Sequence, residues 1–154
     1  MEQSDSTLRL IPLFPLLAAL ASGIWLLFVR KELPRAIVAP LACLASHASF
    51  AVAISALLRL LSLQPGERFL VDNVYTWISS HPFHAEMAFL FDPLSAVMVL
   101  VVTFVGLLIH IYSLGYMSEE PSFARFFAYL NLFMASMLIL VLGSNLPLMF
   151  VGWG

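Results

Sequence analysis

The third long apolar segment of the chain carries a small, polar stripe that includes a titratable residue. Thr103, Gly106, His110 and Ser113 follow one another at intervals of three, four and three residues, which places them on one face of a helix. Histidine changes charge near physiological pH, and ionisable groups inside membrane segments usually mark ion or proton routes. His110 is therefore a candidate for a proton path. The structural alternative is a histidine that hydrogen-bonds a neighbouring helix.

Two other apolar segments contain polar side chains. His47 follows Cys43 by four residues, which could place two metal ligands on one helix face, but two ligands do not make a site. We therefore expect a packed, neutral histidine and no metal. Asn131 lies between two alanines at helical spacing, where an interhelical hydrogen bond is the favoured role. Beyond His110 we predict no catalytic residue. We also predict no cofactor-binding residue, because the sequence has no glycine-rich phosphate loop and no paired cysteines.

These side chains lie in apolar segments that are long enough to cross a bilayer. The 154 residues are 62% hydrophobic and 10% charged, whereas a soluble domain carries about 25% charged residues. A helix needs about 20 apolar residues to span the hydrocarbon core, and no alternation typical of a membrane β-barrel is present. The sequence therefore predicts an all-α polytopic membrane protein with four transmembrane helices, at about 10–29, 37–58, 94–116 and 126–142.

Basic residues near the spans set the expected orientation. Arg30, Lys31 and Arg35 form the strongest basic cluster, and such clusters favour the cytoplasmic side. We therefore expect an external N-terminus. A cleaved signal peptide is the alternative for the first span, but its apolar run is too long and its basic flank follows it. The net charge of −2 gives no reason to expect a nucleic-acid partner, so the lipid bilayer is the expected surroundings.

The loop between the second and third spans has a pattern of its own. Apolar and aromatic residues share one parity on each side of a turn at 79–82. This alternation predicts a short external β-hairpin at the membrane interface, where tyrosine and tryptophan are favoured. The first side carries Phe69, Val71, Tyr75 and Trp77, and the second carries Ala85, Met87, Phe89 and Phe91.

A fifth apolar run occupies residues 146–154 and is too short to span a bilayer. We expect it to be the start of a fifth helix that has been cut. The whole chain, 1–154, would then be the N-terminal part of a single, truncated transmembrane domain. A surface segment is the alternative.

Several stretches of the second half resemble one family of membrane proteins. They are FDPLS at 91–95, LIHIYSLGYM at 108–117, RFFAYLNLF at 125–133, VLGSNL at 141–146 and FVGW at 150–153. Together these stretches, which fall within about residues 88–153, resemble the N-terminal region of subunit L of bacterial NADH–quinone oxidoreductase, which is subunit 5 of respiratory complex I. The first two spans fit the family's layout but are generic in composition.

The resemblance implies an antiporter-like subunit in the membrane arm of a redox-driven proton pump, located in the bacterial inner membrane. Its partners would be the other membrane-arm subunits, and NADH, FMN, iron–sulfur clusters and quinone would belong to other subunits. In that family the Gly-Trp pair is normally followed by a glutamate that takes part in proton translocation. Gly154 stands in that place here, so this role is not carried over.

Two other functions stay open at this point. The large subunit of a multisubunit Na⁺/H⁺ antiporter shares the Asp-Pro-Leu-Ser and Gly-Tyr-Met features, although RFFAYLNLF and the Val-Gly-Trp segment favour the complex I subunit. A non-functional truncated product, or a small structural membrane protein, is the other alternative.

Overall fold

The computed structural model describes residues 3–29 and 33–154, and this part of the chain forms five helices and a small sheet of three strands. The basic residues Arg30 and Lys31, on which the predicted orientation depends, lie outside the described residues. The helices are α1 (Leu10–Val29), α2 (Arg35–Ser62), α3 (Pro93–Tyr116), α4 (Phe123–Leu142) and α5 (Leu146–Trp153). The strands are β1 (Gln3–Ser4), β2 (Leu70–Ser80) and β3 (Phe83–Phe91).

Helices α1 to α4 are each long and apolar enough to cross a membrane. They confirm the four predicted spans, although α2 extends further at both ends and α4 begins three residues earlier than expected. Their outer faces expose large apolar side chains such as Leu27 (77% exposed) and Phe28 (83% exposed). In water such a surface would drive aggregation, whereas in a bilayer it contacts lipid. The chain is therefore a multi-pass, all-α membrane protein.

A proline in the middle of α1 is accommodated by a side chain from α2. Pro15 has no N–H, so the carbonyl of Ile11, four residues earlier, loses its normal helical donor. The Ser49 hydroxyl donates a hydrogen bond to that carbonyl oxygen at 2.7 Å, and Ser49 is fully buried. Because no water is available in hydrocarbon, this bond replaces the lost helical one and joins the two helices.

Small residues on α2 let its neighbours approach closely. Helical spacing brings the small residues of α2 to one face, which is buried along its length against α1, α3 and α4. Its members are Ala42, Ala45, Ser46, Ser49, Ala53 and Ala56. Such packing is the expected solution in a bilayer, where helices associate through close contact because lipid is as apolar as their side chains.

Strands β2 and β3 form the predicted antiparallel hairpin, with residues 81 and 82 at its tip. The β3 residues Ala85, Phe89 and Phe91 are buried. On β2 the predicted common parity does not correspond to one face, because register shifts occur on both sides of Tyr75 and Thr76. As a result Val71 pairs with Leu90 but Tyr75 pairs with Met87, which points the other way.

The sheet contains a third strand that the sequence pattern did not predict. Strand β1 pairs with β2 in parallel, with Gln3 opposite Leu70 and Ser4 opposite Val71. The N-terminus is therefore held on the hairpin. Because the pairing joins residues nearly 70 positions apart and β1 has only two residues, no local periodicity could reveal it.

Two ion pairs attach the same region to the helix ends. Arg9 contacts Asp72 of β2 at 2.9 Å, and Arg59 near the end of α2 contacts Asp5 at 2.8 Å. Burial alone would raise the pKa of Asp5, but hydrogen bonds from Thr7 and Arg59 outweigh it, and the Arg59 charge adds to them, so the pKa lies below its usual value. Both carboxylates are buried, which favours their pairing.

At the opposite end of the bundle, Arg35 links the start of α2 to the loop between α3 and α4. Its guanidinium donates to the carbonyl oxygens of Ser118 and Glu120 in the loop between α3 and α4, and it stacks 5.5 Å above the centre of the Phe123 ring. A basic residue at the start of α2 thus satisfies carbonyl groups beyond the end of α3.

Helix α5 confirms that the fifth apolar run begins a helix. Asn145 caps it by accepting a hydrogen bond from the Leu148 N–H at 3.0 Å. The helix packs directly against α4 through Gly152. A Cβ at Gly152 would lie 2.5 Å from the backbone nitrogen of Leu140 and 2.8 Å from the carbonyl oxygen of Ser136, so only glycine fits there.

We predict that Ser49→Ala destabilises the chain by about 1 kcal/mol, the usual size of such bonds in membrane proteins. The loss arises because the Ile11 carbonyl is left without a donor. In a Pro15→Ala background the cost should largely disappear, since an alanine at this position supplies the missing N–H. Unfolding of the four variants in detergent micelles measures the coupling, and equal costs in both backgrounds would contradict this role.

We predict that Gly152→Ala displaces α5 from α4, because the added methyl group would overlap backbone atoms. Such overpacking costs about 1–3 kcal/mol, and amide hydrogen exchange within α5 should accelerate. Gly154→Ala is the matched control, since its Cβ would meet only the Phe150 carbonyl oxygen at an ordinary 3.5 Å. Equal exchange rates in the two variants would show that the close approach is not needed.

Candidate functional site

The polar stripe of α3 is buried in the bundle as one continuous feature. Thr103 and His110 are fully buried and Ser113 is 4% exposed. Helical periodicity brings them to the face of α3 that packs on α2 and α4. The Thr103 hydroxyl donates to the Val99 carbonyl oxygen at 2.7 Å, so it is satisfied within its own helix. His110 is the titratable member of the stripe.

A hydrogen bond within α3 determines which nitrogen of His110 carries the proton. Nδ1 lies 2.7 Å from the carbonyl oxygen of Gly106. A carbonyl can only accept, so Nδ1 must be the donor, and in the neutral ring Nε2 is an acceptor. Because Nδ1 bonds within α3, the alternative in which His110 bonds a neighbouring helix stays a prediction that concerns Nε2. The ring instead packs beside Phe127 of α4, with centroids 6.1 Å apart.

Asn131 of α4 lies beside the His110 ring, within reach of its side chain. Its amide Nδ2 donates to the Phe127 carbonyl oxygen at 3.0 Å, within α4. The predicted interhelical hydrogen bond of Asn131 stays a prediction. Within residues 3–29 and 33–154, His110 Nε2 and Asn131 Oδ1 are the two buried side-chain polar atoms that have no partner.

A groove between α3 and α4 is lined in part by His110. It has a volume of about 230 Å³, and its lining is almost entirely apolar apart from His110. Gly106 also lines the groove on α3. A Cβ at this position would lie 3.2 Å from the Met134 sulfur, so glycine leaves room for the Met134 side chain. His110 is therefore the polar side chain of the stripe that borders the groove.

His47 is placed differently from the prediction. It is exposed on the outer face of α2 rather than packed, and its Nδ1 lies 2.7 Å from the Cys43 carbonyl oxygen. Position 47 falls outside the small face of α2, which explains its exposure. Among the described residues no three His, Cys, Asp or Glu side chains are close enough together to hold a metal ion.

Ser49 is the functional polar contact that the sequence analysis did not single out as a donor. Ser49 is one of the small residues of α2, but its partner, the Ile11 carbonyl oxygen, lies 38 residues away on α1. The signal that could have found it is Pro15 itself, because a proline inside a membrane helix always leaves a carbonyl in need of a donor.

The comparisons with known proteins agree with these features. The family model for the N-terminus of chain 5 of NADH–ubiquinone oxidoreductase (complex I) matches residues 77–127, which include most of the hairpin, all of α3 and the start of α4. Residues 77–127 are therefore similar to the N-terminal part of chain 5 of complex I.

Individual relatives extend the similarity to both halves of the chain. NADH-quinone oxidoreductase subunit L of Mycobacterium tuberculosis (strain ATCC 25618 / H37Rv) is 45% identical over 113 residues, which are 73% of this chain and 18% of that relative. Subunit L of Escherichia coli (strain K12) is 48% identical over 88 residues, 57% of this chain and 14% of that relative.

A chloroplast relative covers nearly the whole chain. NAD(P)H-quinone oxidoreductase subunit 5 of Physcomitrium patens is 34% identical over 144 residues, which are 94% of this chain and 20% of that relative. The chain thus spans about a fifth of the length of the curated relatives that it matches.

Proposed function

We propose that this chain forms part of the membrane arm of a proton-pumping NADH–quinone oxidoreductase and contributes to proton translocation coupled to electron transfer. The observation that carries the proposal is the 45% identity to a subunit L over 113 residues. The buried polar stripe on α3 supports it, because polar groups inside a membrane bundle are costly and are usually retained for function.

In this proposal the chain holds α3 in place and supplies a side chain that carries a proton. Helices α1, α2 and α4 hold α3, and His110 accepts and releases a proton at Nε2 while Nδ1 stays bonded to Gly106. NADH, FMN, the iron–sulfur clusters and quinone are assigned to other subunits, because the similarity is to subunit L and chain 5. Other membrane-arm subunits are the proposed partners, and they would cover part of the exposed apolar faces.

We also propose an orientation with the N-terminus and the hairpin outside a bacterial inner membrane. The support is the basic residues between α1 and α2, which favour a cytoplasmic loop. Arg35 adds a basic residue beside the α3–α4 loop at the same end of the bundle. The bacterial membrane is supported by the bacterial subunit L that is 45% identical over 113 residues, a longer match than the 81 residues shared with a plant chain 5.

The role of His110 predicts a specific loss in the assembled complex that contains this chain. His110→Ala should lower the rate of NADH-driven proton pumping by on the order of tenfold or more, as expected when a positioned proton-transfer group is lost. Pumping is measured in membrane vesicles with a pH-sensitive dye. The amount of assembled complex is measured in parallel on native gels.

His47→Ala is the matched control for this experiment. It removes a histidine that also contacts the carbonyl oxygen four residues before it, but on the exposed face of α2. Pumping should be unchanged in this variant. Unchanged pumping in an assembled His110→Ala complex would remove His110 from the proton path, and Na⁺-dependent exchange without NADH oxidation would favour the antiporter instead.

The proposed orientation predicts opposite labelling of two exposed positions. In a Cys43→Ser background, Ser80→Cys at the hairpin should react with a membrane-impermeant maleimide added to intact cells. Glu119→Cys, in the loop between α3 and α4, should react only after the cells are opened. Both side chains are exposed, so access to water is not the limiting factor. The reverse pattern would place the N-terminus in the cytoplasm.

A further inference from the structure

A separate groove lies on the outer surface of the bundle, between the last turns of α1 and the first turns of α4. Its volume is about 360 Å³, within the range of about 300–1,000 Å³ that is usual for ligand sites. On each helix the lining residues are spaced by three and four positions, which brings them to one face. They are Gly23, Leu26 and Leu27 of α1, and Arg125, Ala128 and Tyr129 of α4.

Arg125 supplies a positive charge at the end of the groove nearest the membrane edge. It is the third residue of α4, and helical side chains lean toward the start of their helix, so its guanidinium extends toward the headgroups. Other arginines are engaged by the protein. Arg9 and Arg59 pair with carboxylates, and Arg35 and Arg68 donate to backbone carbonyls. Within residues 3–29 and 33–154, no ion pair or hydrogen bond engages the Arg125 guanidinium.

Gly23 keeps the α1 wall of the groove open. A Cβ at this position would meet no atom within 4 Å, so the packing of the described residues does not require glycine there. Gly152 differs, because a Cβ there would overlap the backbone of α4. A glycine inside a helix lowers its stability relative to alanine. The space that Gly23 leaves is therefore available to a molecule outside the chain.

The shape of the lining favours a thin, flexible occupant. Leu27 is 77% exposed and Tyr129 is 65% exposed, so both side chains project from the surface of the bundle. Projecting side chains hold a second helix away, since close helix contacts in membranes use small residues. An acyl chain is narrow enough to lie between them, and it is the apolar group that a bilayer supplies in excess.

The polar end of the groove complements a phosphate. Arginine matches the geometry of phosphate oxygens with two parallel N–H donors. Tyr129 adds a hydroxyl donor one turn further along α4, and tyrosine is favoured where headgroups meet acyl chains. We propose that the α1–α4 groove binds an anionic phospholipid, whose phosphate contacts Arg125 and whose acyl chain lies over Gly23.

The charge of Arg125 selects anionic lipids over zwitterionic ones. A zwitterionic headgroup carries its own cation beside the phosphate, whereas an anionic headgroup leaves the phosphate charge to the arginine. One arginine near a membrane surface favours an anionic lipid by about fivefold. This preference distinguishes a site from the general layer of lipid that surrounds every membrane protein.

The test uses the full chain, reconstituted in phosphatidylcholine vesicles that contain a small fraction of a photoreactive lipid. That lipid is either phosphatidylglycerol or phosphatidylcholine, with a diazirine in one acyl chain. After illumination, peptide mass spectrometry measures the labelling of 23–29 and 123–129. Labelling there should be about fivefold higher with phosphatidylglycerol. The exposed face of α3 at 97–108 is the internal reference, where both lipids should label equally.

Two variants separate the charge from the groove. Arg125→Gln should abolish the preference, whereas Arg68→Gln, which removes a guanidinium between α2 and β2, should keep it. Gly23→Leu should lower labelling by both lipids, because the added side chain fills the groove. Gly115→Leu is its control, since a Cβ at Gly115 also meets no atom within 4 Å but lies on α3, outside the groove.

Each result supports or overturns the site. Equal labelling by the two lipids in the unmodified chain would overturn it, and this result does not depend on the folding of a variant. A preference that survives Arg125→Gln, or that Arg68→Gln also abolishes, would show general charge attraction instead of a site. Unchanged labelling in Gly23→Leu would exclude the groove.

A partner protein is the other occupant that the test separates from lipid. In the assembled complex that contains this chain, a photoreactive amino acid in place of Leu27 should form adducts with lipid. Adducts with another protein instead would assign the groove to a partner subunit and overturn the proposal. None of these measurements uses proton pumping, so the lipid site can fail while the proposed function stands.

Discussion

The requirement that every polar group find a partner inside the protein governs this fold. Hydrocarbon offers no hydrogen bonds, so a backbone carbonyl that a soluble helix would leave to water must be satisfied by another part of the chain. Pro15 creates one such carbonyl at Ile11, and the Ser49 hydroxyl satisfies it from α2. The pairing of α1 with α2 is therefore specific in register as well as close. A slip of one turn would separate the hydroxyl from the carbonyl that needs it.

The same requirement explains why small residues are used so heavily. A hydroxyl or amide can cross between helices only if the backbones are near one another, and nearness depends on alanine, serine and glycine at the contacts. The closest approach of two helix backbones described above occurs at Gly152, where α5 contacts the backbone of α4. Gly106 of α3 likewise lets the Met134 side chain of α4 pack close to the α3 backbone. Large apolar side chains are then displaced outward, where lipid accepts them.

Local patterns predicted those parts of the structure that depend on local forces. The length of the apolar segments predicted the four spans, and the alternation of apolar residues predicted the hairpin. The helical spacing of polar residues predicted the stripe around His110. The failures share one cause, which is contact between distant residues. The β1–β2 pairing joins residues nearly 70 positions apart, and the register shifts of β2 arise in its pairing with β3. The exposure of His47 follows from which face of α2 finds neighbours, and the sequence alone does not say how many helices surround it.

The contact between His110 and Asn131 is informative because the rest of the bundle obeys the requirement so consistently. Thr103 and Ser46 are also buried between helices, yet each hydroxyl donates a hydrogen bond to a carbonyl oxygen of its own helix. Histidine and asparagine also make such bonds with one nitrogen each, but each has a second polar atom that its own helix does not satisfy. If packing were the only demand, leucine or phenylalanine would fill these positions at lower cost. A sequence that places two polar side chains there carries a cost in stability, and the proposed proton-carrying role of His110 would account for it.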